Sequence, residues 1–310
     1  GNLTDTMTTD SDGKAKTKIL PYGVYTLIET KTLTGYKLSD KSTFSIYLTP
    51  KAGETFSTLE MTISNQKMGE IEVYKVTADG TSTPMNGVVF GVYDAKTDAE
   101  LSRMTTDKNG YAAVYVVPGS YYLKEISTWD GYSILKDKIM IEDAKYAQVY
   151  TFRLTNSFSE LRVCKESISG VPLAGMEFMI STEDGKTVPV VYDEKSHSYI
   201  AAGLYEQTAG KSEAVPTTGD NGEVMILGLP EGTYVISETK APEGYHMDAS
   251  PMTAVITETS SGKEAPVITL TDSPITMKTG ETGNSEIVLD ALAIGCLCTS
   301  VTLVVLRRIR

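Results

Sequence analysis

The chain has 310 residues and a net charge of −12, with 41% hydrophobic and 8% aromatic residues. This length gives room for two or three domains, and the apolar content excludes a chain that is disordered by composition. The negative charge argues against a nucleic-acid partner, because such binding depends on neutralising phosphates. Short alternating apolar runs, broken by Asp-Gly, Asn-Gly and Pro-Gly turns, predict an all-β fold.

One motif of the predicted strands occurs three times in chain order. It reads Gly-x-Tyr-x-Φ-x-Glu, where Φ is Leu or Ile, and Gly-Tyr follows it. The three copies end at Glu29, Glu125 and Glu238. Strand side chains alternate between faces, so each glutamate shares a face with the Tyr and Φ residues before it. A carboxylate on a core face is costly unless it has partners, so we expect partners for all three.

Lysine and asparagine or aspartate recur at matched strand positions around this motif. The strands that open the second and third modules end in Lys75 and Lys165. The strands that close the three modules end in Asn65, Asn156 and Asp272. The same alternation predicts that these side chains face the core. The first module has Glu29 and Asn65 but no matching lysine, and residue 1 falls within a repeat. We therefore expect a C-terminal piece of a longer protein with a missing N-terminal head.

Burial of these groups predicts covalent chemistry. Desolvation favours a neutral lysine, which is a nucleophile, and a protonated glutamate, which can polarise an amide carbonyl and shuttle protons. The products would be a Lys–Asn isopeptide bond and ammonia, or water where Asp272 is the acceptor. This is self-modification in a single turnover, so no enzyme is predicted. Two alternatives stay open: exposed residues whose parity is misjudged, and a buried hydrogen-bonded network without a bond, which suits Asp272 best.

The stretch from Tyr234 to Tyr245 reads Tyr-x-Φ-x-Glu-Thr-x-Ala-Pro-x-Gly-Tyr. It resembles the E-box of collagen-adhesin B-type domains (Cna-B, SpaA-type, prealbumin-like), which build stalks and pilins on Gram-positive bacteria. The resemblance covers residues 1–272 and implies tandem Ig-like, transthyretin-like sandwiches. The second module departs from the motif, because Ile126-Ser-Thr-Trp-Asp replaces Thr-x-Ala-Pro-x. The isopeptide roles that the resemblance implies fall on Lys75, Glu125 and Asn156, on Lys165, Glu238 and Asp272, and on Glu29 and Asn65 without a lysine.

The repeats divide the chain into modules. The predicted domains are a partial module at 1–67 that lacks its first strand, a module at 68–158 and a module at 159–273. Residues 181–216 are an insertion in the third module, predicted as an extra hairpin or a long loop. A linker at 274–286 follows.

The C-terminal segment predicts an anchor. Residues 287–306 form a mostly apolar run that is long enough for a transmembrane helix, and the basic residues 307–310 would stay cytoplasmic. Lys278-Thr279-Gly280 resembles a sortase sorting signal, although Thr276-Met277 replace the usual Leu-Pro. The resemblance implies cleavage between Thr279 and Gly280 and attachment to peptidoglycan, with simple membrane retention as the alternative.

The remaining side chains predict no further chemistry. Three cysteines are too few for a disulfide scaffold; Cys164 falls in a predicted strand and Cys296 and Cys298 in the apolar run. His197 and His246 are isolated, so neither a metal site nor a catalytic triad is predicted, and no cofactor is expected.

The leading functional expectation is the stalk of a surface adhesin on a Gram-positive bacterium, with a missing head that binds host matrix or glycan. One alternative is a pilin subunit, although Val73-Tyr74-Lys75 lacks the proline of a pilin-type Tyr-Pro-Lys motif. Another is the stalk of a secreted enzyme whose catalytic domain lies upstream. A further alternative is ligand binding by the insertion, which carries Tyr192, His197, Tyr199 and Tyr205.

Overall fold

The computed structural model describes residues 2–40, 42–53, 58–203, 205, 208–247 and 250–276. Strands dominate this part of the chain, and the all-β prediction is confirmed. Within the described ranges no helix is long and apolar enough to cross a membrane. The predicted transmembrane helix, the basic tail and the sorting motif Lys278-Thr279-Gly280 lie outside the described residues.

The first module contains two small antiparallel ladders. Its strands are β1 (Gly23–Ile28), β2 (Tyr36–Lys37), β3 (Thr43–Leu48) and β4 (Gln66–Lys67). Strand β1 pairs with β3, and β2 pairs with β4. Residues 14–20, before β1, and 58–65, between β3 and β4, are not in strands, so the prediction of a closing strand that ends in Asn65 is wrong.

The second module is a sandwich of two sheets. One sheet has the order β10-β9-β6-β7 and the other has the order β11-β5-β8. The strands are β5 (Gly69–Thr77), β6 (Val89–Asp94), β7 (Glu100–Thr105), β8 (Tyr111–Val116), β9 (Gly119–Ser127), β10 (Ile139–Ala144) and β11 (Val149–Asn156). Strand β5 is the centre of its sheet, because it pairs parallel with β11 and antiparallel with β8. The first and last strands of the module are therefore neighbours.

The third module repeats this plan with a hairpin added to one sheet and with three strands instead of four in the other. Its sheets have the orders β14-β15-β16-β12-β19 and β13-β17-β18. The strands are β12 (Glu160–Ser167), β13 (Glu177–Thr182), β14 (Val190–Asp193), β15 (Ser198–Ala201), β16 (Glu223–Leu227), β17 (Gly232–Lys240), β18 (Met252–Ile256) and β19 (Val267–Asp272). A short 3-10 helix at Gly262–Glu264 precedes β19. The insertion forms the hairpin β14–β15, which joins the larger sheet through a parallel pairing of β15 with β16.

Each of these two sandwiches has its own apolar core, and the insertion hairpin touches both. Val190 and Tyr199 belong to the core of the third module, whereas Val191 and Ile200 pack into the core of the second. Alternation along a strand sends neighbouring residues to opposite faces, so one short hairpin buries apolar side chains in both directions. The hairpin therefore braces the second module against the third.

Candidate functional site

The alternation of β5 and β12 carries a lysine into each core. Buried and half-buried residues alternate along both strands, and Lys75 and Lys165 fall at buried positions beside Ile71 and Val163 on the same faces. Both lysines are at most 1% exposed. Lysine almost never reaches that burial without a partner, so each core must contain groups that receive the ammonium or its neutral form.

Strand pairing brings the closing residue of each module next to its lysine. In the parallel ladder of the second module, Leu154 lies opposite Lys75, and in the third Leu270 lies opposite Lys165. Asn156 and Asp272 follow two residues later on the same buried faces. The two modules thus share one register, although their side chains differ at the last position.

The glutamates reach the same point from the facing sheet. Glu125 lies on β9 opposite Phe90, and Glu238 lies on β17 opposite Phe178, beside a register shift in both cases. The core therefore receives lysine and asparagine or aspartate from one sheet and glutamate from the other. The structure brings together every predicted residue of these two sites.

In the second module, Glu125 touches both reacting partners. Lys75 Nζ lies 2.5 Å from Asn156 Oδ1 and 3.2 Å from Glu125 Oε2. Asn156 Nδ2 donates to Glu125 Oε1 at 2.6 Å. The amine therefore lies beside the carboxamide of Asn156, and one carboxyl group connects that amine to the amide nitrogen. The sequence predicted contact between glutamate and the carbonyl; the structure puts the glutamate on the nitrogen instead.

Two further groups hold this arrangement in place. The hydroxyl of Thr128 accepts the second Nδ2 hydrogen of Asn156 at 2.7 Å. The backbone N–H of Leu135 donates to Glu125 Oε2 at 2.9 Å. The carboxamide nitrogen thus has acceptors for both of its hydrogens, which fixes the orientation of the amide plane.

Burial sets the protonation of the lysine nucleophile. Desolvation lowers the pKa of Lys75 to about 8, and the charge and hydrogen bond of Glu125 oppose this only in part. At pH 7 roughly a tenth of the amine is therefore neutral, which is the nucleophilic form and is far more than an exposed lysine provides.

The third module has the same frame with a different charge balance. Lys165 Nζ lies 2.5 Å from Asp272 Oδ1 and 3.1 Å from Glu238 Oε2. Burial raises the pKa of Glu238, and the neighbouring negative charge of Asp272 raises it further, while Lys165 opposes both. Two carboxyl groups and one ammonium share a buried site, so Glu238 is the group that retains a proton most readily.

The first module contains the same constellation without the lysine. Asn65 Nδ2 donates to Glu29 Oε1 at 2.6 Å and to Thr32 Oγ1 at 2.8 Å. Asn65 Oδ1 accepts from the backbone N–H of Ser39 at 3.0 Å. Glu29 Oε2 is buried and has no hydrogen-bond partner among the described residues.

Two threonines that contact the asparagines are not part of the predicted Lys, Glu and Asn/Asp pattern. Thr32 and Thr128 both follow their glutamate by three residues, in the two modules that close with asparagine. Ala241 takes that position where the module closes with Asp272, which has no amide hydrogens to donate. This correlation within a single chain was the signal that could have identified them.

On the insertion hairpin the rings of Tyr192 and Tyr199 are in contact, with centroids 5.1 Å apart. Tyr199 packs in the core of the third module. Tyr205 lies at the junction of the modules, where its hydroxyl donates to the Gly228 carbonyl and its ring packs on Phe158. The hydroxyl of Tyr192 lies 3.4 Å from His197 Nδ1 on the hairpin.

The sequence of the chain is similar to those of known proteins. A sequence profile of the SpaA prealbumin-like fold domain matches residues 1–66, 69–156 and 159–271. The fimbrial subunit type 1 of Actinomyces viscosus is 32% identical over 173 residues, which are 55% of this chain and 28% of that protein. The chain thus spans well under a third of that relative's length.

Several solved structures of bacterial proteins are also similar to this chain. The Bacillus anthracis TIE protein is 25% identical, with a TM-score of 0.38 over 86% of this chain and 45% of that one. A streptococcal ancillary pilin is 20% identical, with a TM-score of 0.33 over 87% and 80% of the two chains. The shaft pilin SpaA of Lactobacillus rhamnosus GG is 17% identical, with a TM-score of 0.31 over 68% and 100%.

Proposed function

The chain belongs to the SpaA family of prealbumin-like fold domains, and from that premise we propose that it is a structural stalk on the surface of a Gram-positive bacterium. Its second and third modules lock themselves with intramolecular isopeptide bonds, Lys75–Asn156 and Lys165–Asp272. The chain acts as a load-bearing spacer rather than as an enzyme.

One observation carries this proposal: the second and third modules each bring a buried lysine to 2.5 Å from the side-chain oxygen of the closing residue. An ion pair or hydrogen bond on a surface would need no such burial, and a buried ammonium costs free energy that a covalent amide avoids. Effective molarities for groups held in this way reach roughly 10⁵–10⁸ M, which allows amide formation without an external catalyst.

The reaction in the second module releases ammonia from Asn156. The neutral Nζ of Lys75 attacks Cγ of Asn156, the new C–N bond forms, and the bond from Cγ to Nδ2 breaks. Glu125 takes a proton from the attacking nitrogen through Oε2 and returns it to the departing Nδ2 through Oε1, so ammonia leaves. In the third module Glu238 serves the same role, the C–O bond of Asp272 breaks, and water leaves.

The bond has a mechanical consequence because of where it lies. It closes a loop between positions that are 81 residues apart, on adjacent first and last strands. Pulling force that enters by β5 and leaves by β11 then passes through one covalent link instead of through the sandwich. Unlike a disulfide, the link does not depend on an oxidising compartment.

Peptide mapping of the 310-residue chain tests the proposal. We expect one branched peptide that joins Lys75 to Asn156 and one that joins Lys165 to Asp272. Glu125→Ala should remove the first and leave the second, so each module is the internal control of the other. If the chain without substitutions gives only unbranched peptides from both modules, the two sites are non-covalent networks.

Anchoring at the envelope is the second part of the proposal, and it depends on the sequence of the C-terminal segment. We propose that sortase cleaves between Thr279 and Gly280 and links the stalk to peptidoglycan, after the apolar run has held it in the membrane. Incubation with a housekeeping sortase should release the segment after Thr279, and Thr279→Ala should prevent release. If the chain is not cleaved, membrane retention is the only one of the two forms of anchoring that remains.

The identity with a fimbrial subunit favours a pilin subunit as the second candidate. A pilin requires covalent polymers between copies, whereas a stalk requires only attachment at one end. Covalent ladders of this protein extracted from the cell wall would favour the pilin, and a single wall-linked species would favour the stalk.

A further inference from the structure

The loop between β9 and β10, residues 128–138, completes the reactive site of the second module. Near its start, the hydroxyl of Thr128 accepts an amide hydrogen of Asn156. Further along, the backbone N–H of Leu135 donates to Oε2 of Glu125 at 2.9 Å, the same oxygen that accepts from the lysine. The position of this loop therefore determines how the amide and the carboxyl group are oriented.

The third module holds the β9–β10 loop on both sides of Leu135. The backbone N–H of Ile134 donates to the carbonyl oxygen of Glu258 at 2.8 Å. Lys136 forms an ion pair with Glu264, and both side chains are about half exposed. Both acceptors lie in the connection between β18 and β19. The backbone donor that fixes the reactive carboxyl group is thus flanked on each side by a contact with the next module.

The connection between β18 and β19 is ordered by contacts within the third module. Ser260 is buried, its hydroxyl accepts from the backbone N–H of Thr257 at 2.9 Å, and its own N–H donates to the Thr257 carbonyl at 3.1 Å. The carbonyl of Ser260 accepts from the backbone N–H of Glu160, on the first strand of the third module, at 2.6 Å. The turn that presents the carbonyl of Glu258 is therefore in place only when the third module is folded.

The start of the β9–β10 loop also lies against the third module. The hydroxyl of Tyr205 lies 3.2 Å from the carbonyl oxygen of Asp130 and 2.6 Å from that of Gly228. Gly131 has a φ of +75°, and a Cβ at this position would collide with the hydroxyl of Tyr205 and with the carbonyl of Gly228. Only glycine permits so close an approach of the two modules. The third module therefore contacts the loop near both of the groups that orient the reactive side chains.

We propose that the third module positions the reactive groups of the second, so that isopeptide formation in the second module depends on the folding of the third. This inference rests on the proposed function. Lys136 and Glu264 are positioning residues, because they act through the N–H of Leu135 and do not touch the reacting atoms. Small displacements matter here, since misplacing a reacting group by about 1 Å can cost on the order of 100-fold in rate.

The dependence sets an order of events. The second module precedes the third along the chain and is therefore synthesised first. Its β9–β10 loop gains the contacts described above only when β18 and β19 have formed. The bond between Lys75 and Asn156 then closes with the two modules already aligned. The bonds made and broken are those of the proposed reaction, and only its rate depends on the third module.

The test uses the full 310-residue chain and follows the loss of ammonia and of water in time after cell-free synthesis. Lys136→Glu or Glu264→Lys places like charges at the junction. Each change should slow the ammonia loss of the second module roughly two- to fivefold, the range expected for a half-exposed ion pair. The double variant restores the pair with its charges exchanged, so it should regain the original rate. Water loss in the third module should keep its rate in all three variants.

Lys138→Glu and Lys263→Glu are matched controls that make the same change of charge. Lys138 lies on the β9–β10 loop but pairs with Asp98 of its own module. Lys263 is exposed and precedes Glu264 on the 3-10 helix. Both controls should leave the rate of ammonia loss unchanged.

Ser260→Ala tests the turn that the third module contributes. It removes the hydroxyl that accepts from the N–H of Thr257, so the carbonyl of Glu258 is held less firmly. We expect slower ammonia loss in the second module and an unchanged rate of water loss in the third.

Two results would overturn the proposal while the proposed function stands. One is ammonia loss at the original rate in Lys136→Glu, Glu264→Lys and Ser260→Ala. The other is a double variant that is no faster than the single charge reversals. Equal slowing of ammonia and water loss would also overturn it, because that result indicates a general folding defect. If the chain without substitutions loses no ammonia, the proposed function fails and this inference fails with it.

Discussion

The second and third modules place the same backbone frame around two different closing side chains, an amide and a carboxylic acid. Lysine and glutamate lie in matching register in both, but the closing residue is Asn156 in one and Asp272 in the other. In the second module one carboxyl group, that of Glu125, contacts the amine of Lys75, and the closing side chain is an amide. In the third, two carboxyl groups face one ammonium, and the pKa of Glu238 is raised by burial and by Asp272.

The shared strand register determines which side chains come into contact in both modules. The closing residue alone determines the leaving group and the number of protons that must be transferred. The asparagine site needs an acceptor for its amide hydrogens, which Thr128 supplies. The aspartate site has no such hydrogens, and Ala241 stands at the matching position. The first module, with Asn65 and Thr32, follows the asparagine pattern.

The largest effect should come from Asn156→Ala. This change removes the electrophile of the second module and opens a loop of 81 residues. By analogy with loop closure by a disulfide, we expect the free energy of unfolding of the module to fall by roughly 4.5 kcal/mol. Urea unfolding measures it, and the third module should be unaffected.

Thr155→Ala is the matched control for this change, because Thr155 is the exposed neighbour of Asn156 on β11. We expect its effect on stability to stay within about 0.5 kcal/mol. A similar loss in both variants would mean that strand packing, and not a covalent bond, explains the stability of the second module.

The next effect is a pH dependence in the Asn156→Ala chain, where Lys75 stays free. Its pKa is lowered by burial from 10.5 in the unfolded chain to about 8 in the folded one. Below pH 8 both states hold the proton, and the cost of the buried charge is fully present. As pH rises from 8 to 10.5 only the unfolded state keeps the proton, so stability should increase by about 3 kcal/mol.

Urea unfolding across that pH range checks this dependence. The Asn156→Ala, Lys75→Met double variant supplies the baseline, because it lacks the titrating amine and keeps the other ionisable groups. Equal slopes in the two variants would show that the pKa of Lys75 is not lowered in the core.

Exchanging the closing residues should exchange the chemistry. Asn156→Asp should make the second module lose water in place of ammonia, and Asp272→Asn should do the reverse in the third. At neutral pH we expect Asn156→Asp to react at least about tenfold more slowly, because a carboxylate resists attack unless a proton is supplied. The mass of each chain, followed in time after cell-free synthesis, measures both quantities. If each module loses the same mass after the exchange, the closing residues are not the groups that react.

The smallest effect should come from Thr128→Val, which removes the acceptor of one Asn156 amide hydrogen. A net hydrogen bond is worth about 1 kcal/mol, so we expect bond formation in the second module to slow by up to about tenfold. The third module should be unaffected, since Ala241 already stands there. The same time course detects the change. Equal slowing in both modules would indicate a general folding defect.

Much of this arrangement followed from the sequence. Alternation along the strands correctly predicted which face holds Lys75, Glu125 and Asn156, and the repeats aligned them with their counterparts in the third module. The parallel pairing of first and last strands is the fold-level fact that turns three buried residues into one site. The recurring order of the Lys, Glu and Asn/Asp strands along the chain implied that these three side chains come into contact.

Other features depend on information that periodicity does not carry. The contact of Glu125 with the amide nitrogen depends on side-chain rotamers and on the backbone N–H of Leu135 in a loop. The bracing role of the insertion depends on the orientation of two modules, which places Val191 and Ile200 in the neighbouring core. Strand patterns predict faces and registers, but neither rotamers nor packing between modules.

The intact mass of the 310-residue chain tests the central claim most directly. We expect a mass below that of the sequence by one ammonia and one water, from the second and third modules respectively. In Glu125→Ala the ammonia deficit should vanish and the water deficit should remain. An intact mass equal to that of the unmodified sequence would contradict the account, because both lysines would then be buried without the bonds that explain them.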